Sequence, residues 1–551
     1  MTIQSPGAPT TASRGSRSVA LGRTGLIATS QPLASGAGLE VFRNGGNAID
    51  AAVTAAAVLA VVEPTMTGIG GDLFAIVHDG ATDRTRGLNA SGRSPHAASL
   101  DQLRVLGHTS IPHHGALSVT VPGAVDGWSL LLAEHGTISL RQALAPAIAY
   151  ARDGFPVAEV VARQWREAAS TLATDPAAAA AFLPRGRAPL PGEVFSCPTL
   201  AATLEVIAAE GRDAFYGGDL GRRIARDVEQ RGGWLTAADL RDHRSEWVDP
   251  IRATYADVEL LELPPNTQGF VALEALNILR DDDLGQLGHN SANYIHLLLE
   301  ALAIAFADRD AYLADAAAVP DATLRQLISP DYARSRRREI ENDRARARRP
   351  ARIKTGPDGD GGAGPDAPRG AGDTVFLAAA DDRGNLVSLI QSLYAGFGAG
   401  IVAGDTGVVL HNRGSLFVTD PAHPNHLAPH KRPLHTLAPA MVFREGRPWL
   451  AYGVMGGDMQ PQGHLQVLLN LTCFGMNIQQ AGEAPRARYD LAGVGLEAGI
   501  AVATGDDLRR RGHRLVDGLG FGGFQGVLVD RDTGVLMGGS DPRKDGLAIG
   551  L

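Results

Sequence analysis

Around residue 373 the chain changes character within a few positions. From Pro350 to Ala371 it is mostly Gly, Pro, Asp, Ala and Arg. So few apolar groups cannot offset the entropy of ordering the segment, which is expected to be disordered or loosely held. Directly afterwards Val375 to Ala380 reads as a short buried strand, Asp382-Arg383-Gly384-Asn385 as a turn, and Leu386 to Leu393 as a second strand. Any fold must therefore carry this hairpin inside and the stretch before it outside. A slack tether feeds Thr374 onto the first position of a core strand. This suggests self-cleavage between Asp373 and Thr374, with Thr374 as a new N-terminus and nucleophile. An ordinary interdomain linker has the same composition, and local sequence leaves both readings open.

The length allows roughly two to four domains or one large sandwich. With 44% hydrophobic and 20% charged residues, the chain can bury a substantial core. Aromatic residues make up only 5% while glycine numbers 67, which points to closely packed layers of small side chains. A net charge of -9 and a pI near 6.0 give no footprint for nucleic acid or an anionic membrane. Arg336 to Arg352 is basic but interrupted by acids, and reads as a solvated helix end. Two cysteines, Cys197 and Cys473, suggest no disulfide framework. Met1 to Ser18 is polar, with no apolar signal segment. The longest apolar run, Ala48 to Val62, carries Asp50 and is too short for a bilayer. A cytoplasmic protein without nucleic-acid or membrane partners is expected.

In chain order, helices are expected at Ala34–Arg43 and Asn47–Val62, the second apolar nearly all round. The glycine turn Thr67–Asp72 leads into a strand at Leu73–His78 and lacks the spacing of a phosphate loop. Strands are expected at Ser118–Pro122 and Tyr255–Leu263, and Thr236-Ala237-Ala238-Asp239 is a capping signal. Asn293–Leu313 reads as a long amphipathic helix with a charged end at Asp308-Arg309-Asp310. Beyond the tether come a strand at Val408–Asn412, a hairpin at Thr436–Gly453, a helix at His464–Phe474 and a hairpin at Gly523–Gly539. Mixed helices and consecutive hairpins suggest an α+β fold with two antiparallel sheets between helical layers.

Several segments together resemble the γ-glutamyltransferase family of N-terminal nucleophile (Ntn) hydrolases. They are Asn44–Val53, Val61-Val62-Glu63-Pro64 with Gly68–Gly71, Val121-Pro122-Gly123, Ala303–Arg309, Asp381–Ser392, Phe397-Gly398, Lys431–Leu434, Gly456-Gly457 and Ser540–Arg543. The resemblance implies a four-layer αββα sandwich and a proenzyme cut before a threonine. Its two interlocked chains would be residues 1–373, with the tether at about 350–373, and residues 374–551. A dimer of such heterodimers is allowed. It places the nucleophile on Thr374, the cleavage bond between Asp373 and Thr374, a hydroxyl partner on Ser392, an asparagine behind it on Asn412, and oxyanion donors on Gly456 and Gly457. It implies hydrolysis or transfer of glutathione or γ-glutamyl amides, a small-molecule amide substrate and no cofactor. A threonine hydroxyl needs a base, and a freed α-amino group, with a pKa near 7.7–8.0, supplies one on the same residue.

The substrate positions depart from the glutathione-type pattern. The first loop reads Ser91-Gly92-Arg93-Ser94-Pro95 and the second His435-Thr436; the aspartate expected to face a substrate ammonium is Leu416, and its amide neighbours are Tyr394 and Arg413. Arg93 and Arg413 could together hold a carboxylate. That suits an anionic amide without an α-amino group, as in oxamate amidohydrolase-like or glutaryl-acylase-like members. The wording around Thr374, Ser392-Leu393-Tyr394 and Met455–Gln462 is closer to the former. Tyr394, His435 and Thr436 join the two arginines as candidate substrate-binding residues. A third reading is an unprocessed, non-catalytic member. His113-His114, His423, His426 and His430 lack metal-ligand spacing, and no metal is assigned.

Overall fold

The computed structural model describes residues 16–348, 350, 353 and 373–551. Most of the expected loose tether, 350–373, lies outside the described residues. Helices α1 (Pro32–Arg43) and α2 (Ala48–Val62) lie side by side. Asn47 caps α2: its side chain accepts from Asp50 N–H while the Asp50 carboxylate accepts from Asn47 N–H. Every residue of α2 is buried, as its all-round apolar character requires. Further helices that position the site are α3 (Ala124–His135), α4 (Phe270–Ile278), α5 (Ala292–Tyr312), α6 (Met459–Thr472) and α7 (Val502–Arg510).

The main strands are β1 (Ala20–Gly22), β2 (Gly25–Thr29), β3 (Asp72–Asp79), β4 (Arg84–Ala90), β5 (Glu246–Val248), β6 (Ile251–Tyr255) and β7 (Val258–Glu262). They continue with β8 (Asp373–Asp381), β9 (Leu386–Tyr394), β10 (Ala440–Arg444), β11 (Arg447–Val454), β12 (Phe524–Val529), β13 (Leu536–Ser540) and β14 (Leu547–Gly550). One sheet runs β14-β2-β8-β9-β3-β4-β5 and the other β1-β13-β12-β11-β10-β7-β6. Both draw strands from either side of residue 373.

Alternation along β8 divides its side chains between two cores. Phe376, Ala378 and Ala380 join Leu26, Phe74 and Ile390 of their own sheet and Leu261, Met441, Ala451 and Val527 of the other. Val375, Leu377 and Ala379 pack with the apolar residues of α1, α2 and α3. A third cluster joins the outer residues of β7, β10 and β11 to α4, α5 and α6. Among the described residues no helix is long and apolar enough to cross a membrane.

Four expected elements differ. Ser118–Pro122 is extended but unladdered after a 3-10 turn at Ala116–Ser118, because Pro122 has no N–H to offer and Val121 N bonds singly to Arg93 O. Tyr255–Leu263 is instead the end of β6 and all of β7, separated by a turn with Ala256 at φ 50°. Val408–Asn412 makes only isolated bridges, Val402 to Val409 and Gly70 to Leu410. The helix α5 is buried on nearly every side rather than amphipathic. Its charged end is internal because Asp308 accepts from the Tyr332 hydroxyl and Arg309 reaches Gln268 and Asp458.

Candidate active site

Thr374 is the second residue of β8 and is 2% exposed. The register with β9 slips at this point: Asp373 faces Tyr394 and Val375 faces Gln391. Thr374 alone therefore stands against Ser392 and Leu393, a bulge of the kind that re-aims a side chain. Its Oγ1 donates to Ser392 Oγ at 3.3 Å. Ser392 Oγ in turn accepts from Tyr394 N at 2.7 Å.

Tyr394 holds φ at 80°, a left-handed conformation that a bulky residue keeps only under constraint. The constraints are visible. Asn412 Oδ1 accepts from Ala395 N at 3.1 Å, and Asn412 Nδ2 donates to His113 O at 2.7 Å. The Tyr394 ring lies 4.5 Å from the Arg413 guanidinium carbon, a cation–π contact, and 5.9 Å edge-on from the His113 ring.

Ser392 faces Asp72 across the β9–β3 ladder. Asp72 is fully buried, and its Oδ2 lies 3.0 Å from His435 Nε2, 3.0 Å from His411 Nδ1 and 3.9 Å from Arg413 Nε. Its Oδ1 accepts from Gly92 N at 3.1 Å. Burial disfavours the Asp72 carboxylate, but the two histidines outweigh it and hold the group well below the usual range. Burial, then the Arg413 charge, push His435 down to about 3. Its Nδ1 accepts from Leu437 N, so the neutral ring donates from Nε2 to Asp72. Burial lowers Arg413 to about 10, against the pull of Asp72.

Arg413 Nη1 donates to Thr436 Oγ1 at 3.0 Å. Its Nη2 is buried and has no protein acceptor among the described residues. The Thr436 carbonyl accepts from Gln268 Nε2, which also donates to Gly457 O at 2.9 Å. Arg309 clamps Gln268 Oε1 at 2.7 Å and Asp458 Oδ1 at 2.6 Å. Gly456 and Gly457 turn from β11 into α6 with φ of 113° and 59°, which glycine alone adopts without strain. The α6 N-terminus opens just behind this turn, where its dipole favours negative charge.

One network of contacts thus joins Thr374, Ser392, Tyr394, Asn412, Arg413, His435, Thr436 and Gly457. Arg93 takes a different position. It donates to Glu246 Oε1 at 2.8 Å, and Arg432 takes the other oxygen of that carboxylate. Burial resists ionisation of Glu246, but Arg432 and then Arg93 bring it down to about 2. Leu416 is buried in the apolar cluster that includes Tyr394 and Leu434. Asp72, His411, Gln268 and the ring of His113 were not singled out by sequence reasoning. A carboxylate directly after Gly70-Gly71, at the first position of an otherwise apolar strand, was the one available signal for Asp72.

Gly92 tests this packing. A Cβ there would lie 1.5 Å from Val121 O, which is backbone and cannot yield. Gly92→Ala is expected to cost about 3 kcal/mol or more, read as a lowered thermal unfolding temperature.

The Gamma-glutamyltranspeptidase family matches residues 34–551. The glutathione hydrolase-like YwrD proenzyme of Bacillus subtilis (strain 168) is 40% identical over 543 residues, covering 96% of this chain and 99% of its own. The oxamate amidohydrolase proenzyme of Klebsiella pneumoniae is 36% identical over 542 residues, covering 96% and 98%. The crystal structure of cephalosporin acylase from Bacillus halodurans superposes with a TM-score of 0.90 at 39% identity, covering 100% of this chain and 99% of that one. With matches this continuous, the chain belongs to the gamma-glutamyltranspeptidase family, whose members are hydrolases and transpeptidases.

Proposed function

We propose that the chain is a proenzyme that cuts itself before Thr374, and that the freed threonine hydrolyses amides of an anionic acyl group through an acyl-enzyme. The observation that carries this is the buried Thr374 hydroxyl, set on a bulge at 3.3 Å from Ser392 Oγ. In processing, Thr374 Oγ attacks the Asp373 carbonyl and the peptide nitrogen leaves as the new α-amine. Water then hydrolyses the ester, giving residues 1–373 and 374–551. In turnover the α-amine takes the Oγ proton as Oγ bonds to the substrate carbonyl. That proton passes to the departing amine, and water releases the acid. Gly456 and Gly457 N–H groups would face the oxyanion, each such donor being worth roughly 10²–10³ in rate. Ser392 would orient Oγ, and Asn412 would hold the Tyr394–Ala395 turn.

The αββα sandwich reading is supported by the three apolar clusters, one joining the two sheets and two beneath helices. The relatives' names as proenzymes support processing. For the substrate, Arg413 offers a buried Nη2 while Leu416 offers no counter-ion to an α-ammonium. A substrate ammonium placed there would cost several kcal/mol, whereas a carboxylate on Arg413 gains a charge-assisted bond. Tyr394 and Thr436 hold that guanidinium, and His435 fixes the Asp72 behind it. The similarity to a glutathione hydrolase-like protein favours a second reading, γ-glutamyl amides. Comparing turnover of γ-glutamyl-p-nitroanilide with oxamate and a glutaryl amide separates them; faster γ-glutamyl turnover would refute the argument from Leu416. Arg413→Gln is expected to raise KM for a carboxylate-bearing amide about 10²-fold and to leave KM for a neutral acyl amide unchanged.

A further inference from the structure

A second group of imidazole and carboxylate side chains lies on α5. His296 and Glu300 are one turn apart and face the same side. His513 approaches them from the loop after α7. One ligand atom from each lies within 4.8 Å of the others. All three are buried, the most exposed being His513 at 9%. The distance from His296 Nδ1 to His513 Nε2 is 2.8 Å, which leaves room for one proton between them. His296 Nε2 donates to the Glu341 carbonyl at 2.7 Å, so Nδ1 presents its lone pair to the group. This outer hydrogen bond is the one that metal-binding imidazoles generally make to fix their tautomer. If the shared proton moves to His513 Nδ1, with no change of charge, two lone pairs converge on one point. Glu300 supplies the anionic oxygen, and Arg348 holds its carboxylate in place. Arg348 and Arg511 oppose a cation here, while Asp343 and Asp507, also within electrostatic reach of His296, favour one.

We propose that His296, Glu300 and His513 bind a divalent transition ion such as Zn²⁺, with water as fourth ligand, and that this ion staples the segment before residue 373 to the segment after it. Two imidazoles and a carboxylate are a common donor set for such ions, and a borderline ion suits nitrogen better than Mg²⁺ or Ca²⁺ would. Tetrahedral Zn–N bonds put the two nitrogens roughly 3.3 Å apart. The rings must therefore open slightly from the 2.8 Å contact, a small side-chain rotation. His296 and Glu300 precede residue 373 and His513 follows it, so the staple rests on the proposed cleavage; the binding does not.

The test uses full-length protein dialysed against chelator and titrated with ZnCl₂ alone, read by calorimetry and metal analysis, with Co²⁺ absorption as an independent probe. The expected result is one ion per chain, an intense four-coordinate Co²⁺ spectrum, and affinity at least 10²-fold weaker in His513→Ala and in Glu300→Gln. His96→Ala, which removes an imidazole stacked on His430 elsewhere, should bind like the parent. No saturable binding, equal binding in His513→Ala, or a weak octahedral Co²⁺ spectrum would overturn the site. Binding by the uncut Thr374→Ala protein as well as the parent is expected. Zn²⁺ should raise the temperature at which cut chains separate; failure of that effect alone, with binding intact, removes the staple and leaves the site.

Discussion

Thr374→Ala protein is expected to run on a denaturing gel as one band near 57.6 kDa and to hydrolyse amides at least about 10⁴-fold more slowly than the parent. Both effects come from one atom. Removing Oγ1 takes away the group that would attack the Asp373 carbonyl and, later, the substrate carbonyl. The fold should survive, because Thr374 gives the described core only the bond to Ser392 Oγ, while Val375 to Ala380 carry the packing. Circular dichroism with an unfolding temperature close to the parent's completes the test. If two bands near those of the parent persist, the cut lies elsewhere and Thr374 is not its nucleophile. Retention of amidase activity by the uncut variant would remove Thr374 from turnover as well.

Asp72→Asn should lower stability by about 3–5 kcal/mol, the usual cost of leaving a buried charge without its partner. Arg413 is fully buried, and Asp72 is the carboxylate nearest its Nε. The amide cannot balance that charge. It also disturbs His435, whose Nε2–H donates to the same oxygen. Thermal unfolding and the fraction of processed chain should both fall. The pH dependence carries a definite sign. Folding holds the Asp72 carboxyl below its unfolded value of about 3.9, so the native state resists protonation there. The stability it contributes is complete above about pH 4 and is progressively lost as the pH falls below that value. The parent should therefore show a steeper acid loss of stability than Asp72→Asn between about pH 4 and pH 2. Parallel curves would mean that Asp72 is not the charged partner of Arg413.

The β8–β9 hairpin was legible because its apolar residues are contiguous and its turn carries Asp382, Gly384 and Asn385. Helix α2 was legible because fifteen residues pass without an exposed side. Thr374 was suggested locally, by the tether meeting a core strand, though an ordinary linker fitted there as well; Ser392, Asn412, Gly456 and Gly457 were reached only through a resemblance spread over the chain. What escaped was contact between distant segments. Asp72 and His435 are 363 positions apart, and nothing around either one marks the other as its partner. Arg309 read only as part of the charged end of an amphipathic helix because charge density is read locally, whereas its partners Gln268 and Asp458 come from elsewhere. Arg93 shows the reverse: its residue type suited a substrate carboxylate, and Glu246 is the carboxylate it meets.

The strand β8 lies between β2 and β9, with hydrogen bonds to both along most of its length. Under the proposed cut before Thr374, the strand would leave Asp373 on one piece and begin at Thr374 on the other, while its neighbours in the sheet stay on both pieces. Assembly is then a one-time event. The uncut chain folds as a single molecule, but its cut successor could regain the sheet only by a bimolecular encounter of two incomplete halves. Its lifetime therefore depends on how slowly the sheet opens and not on the equilibrium that first formed it.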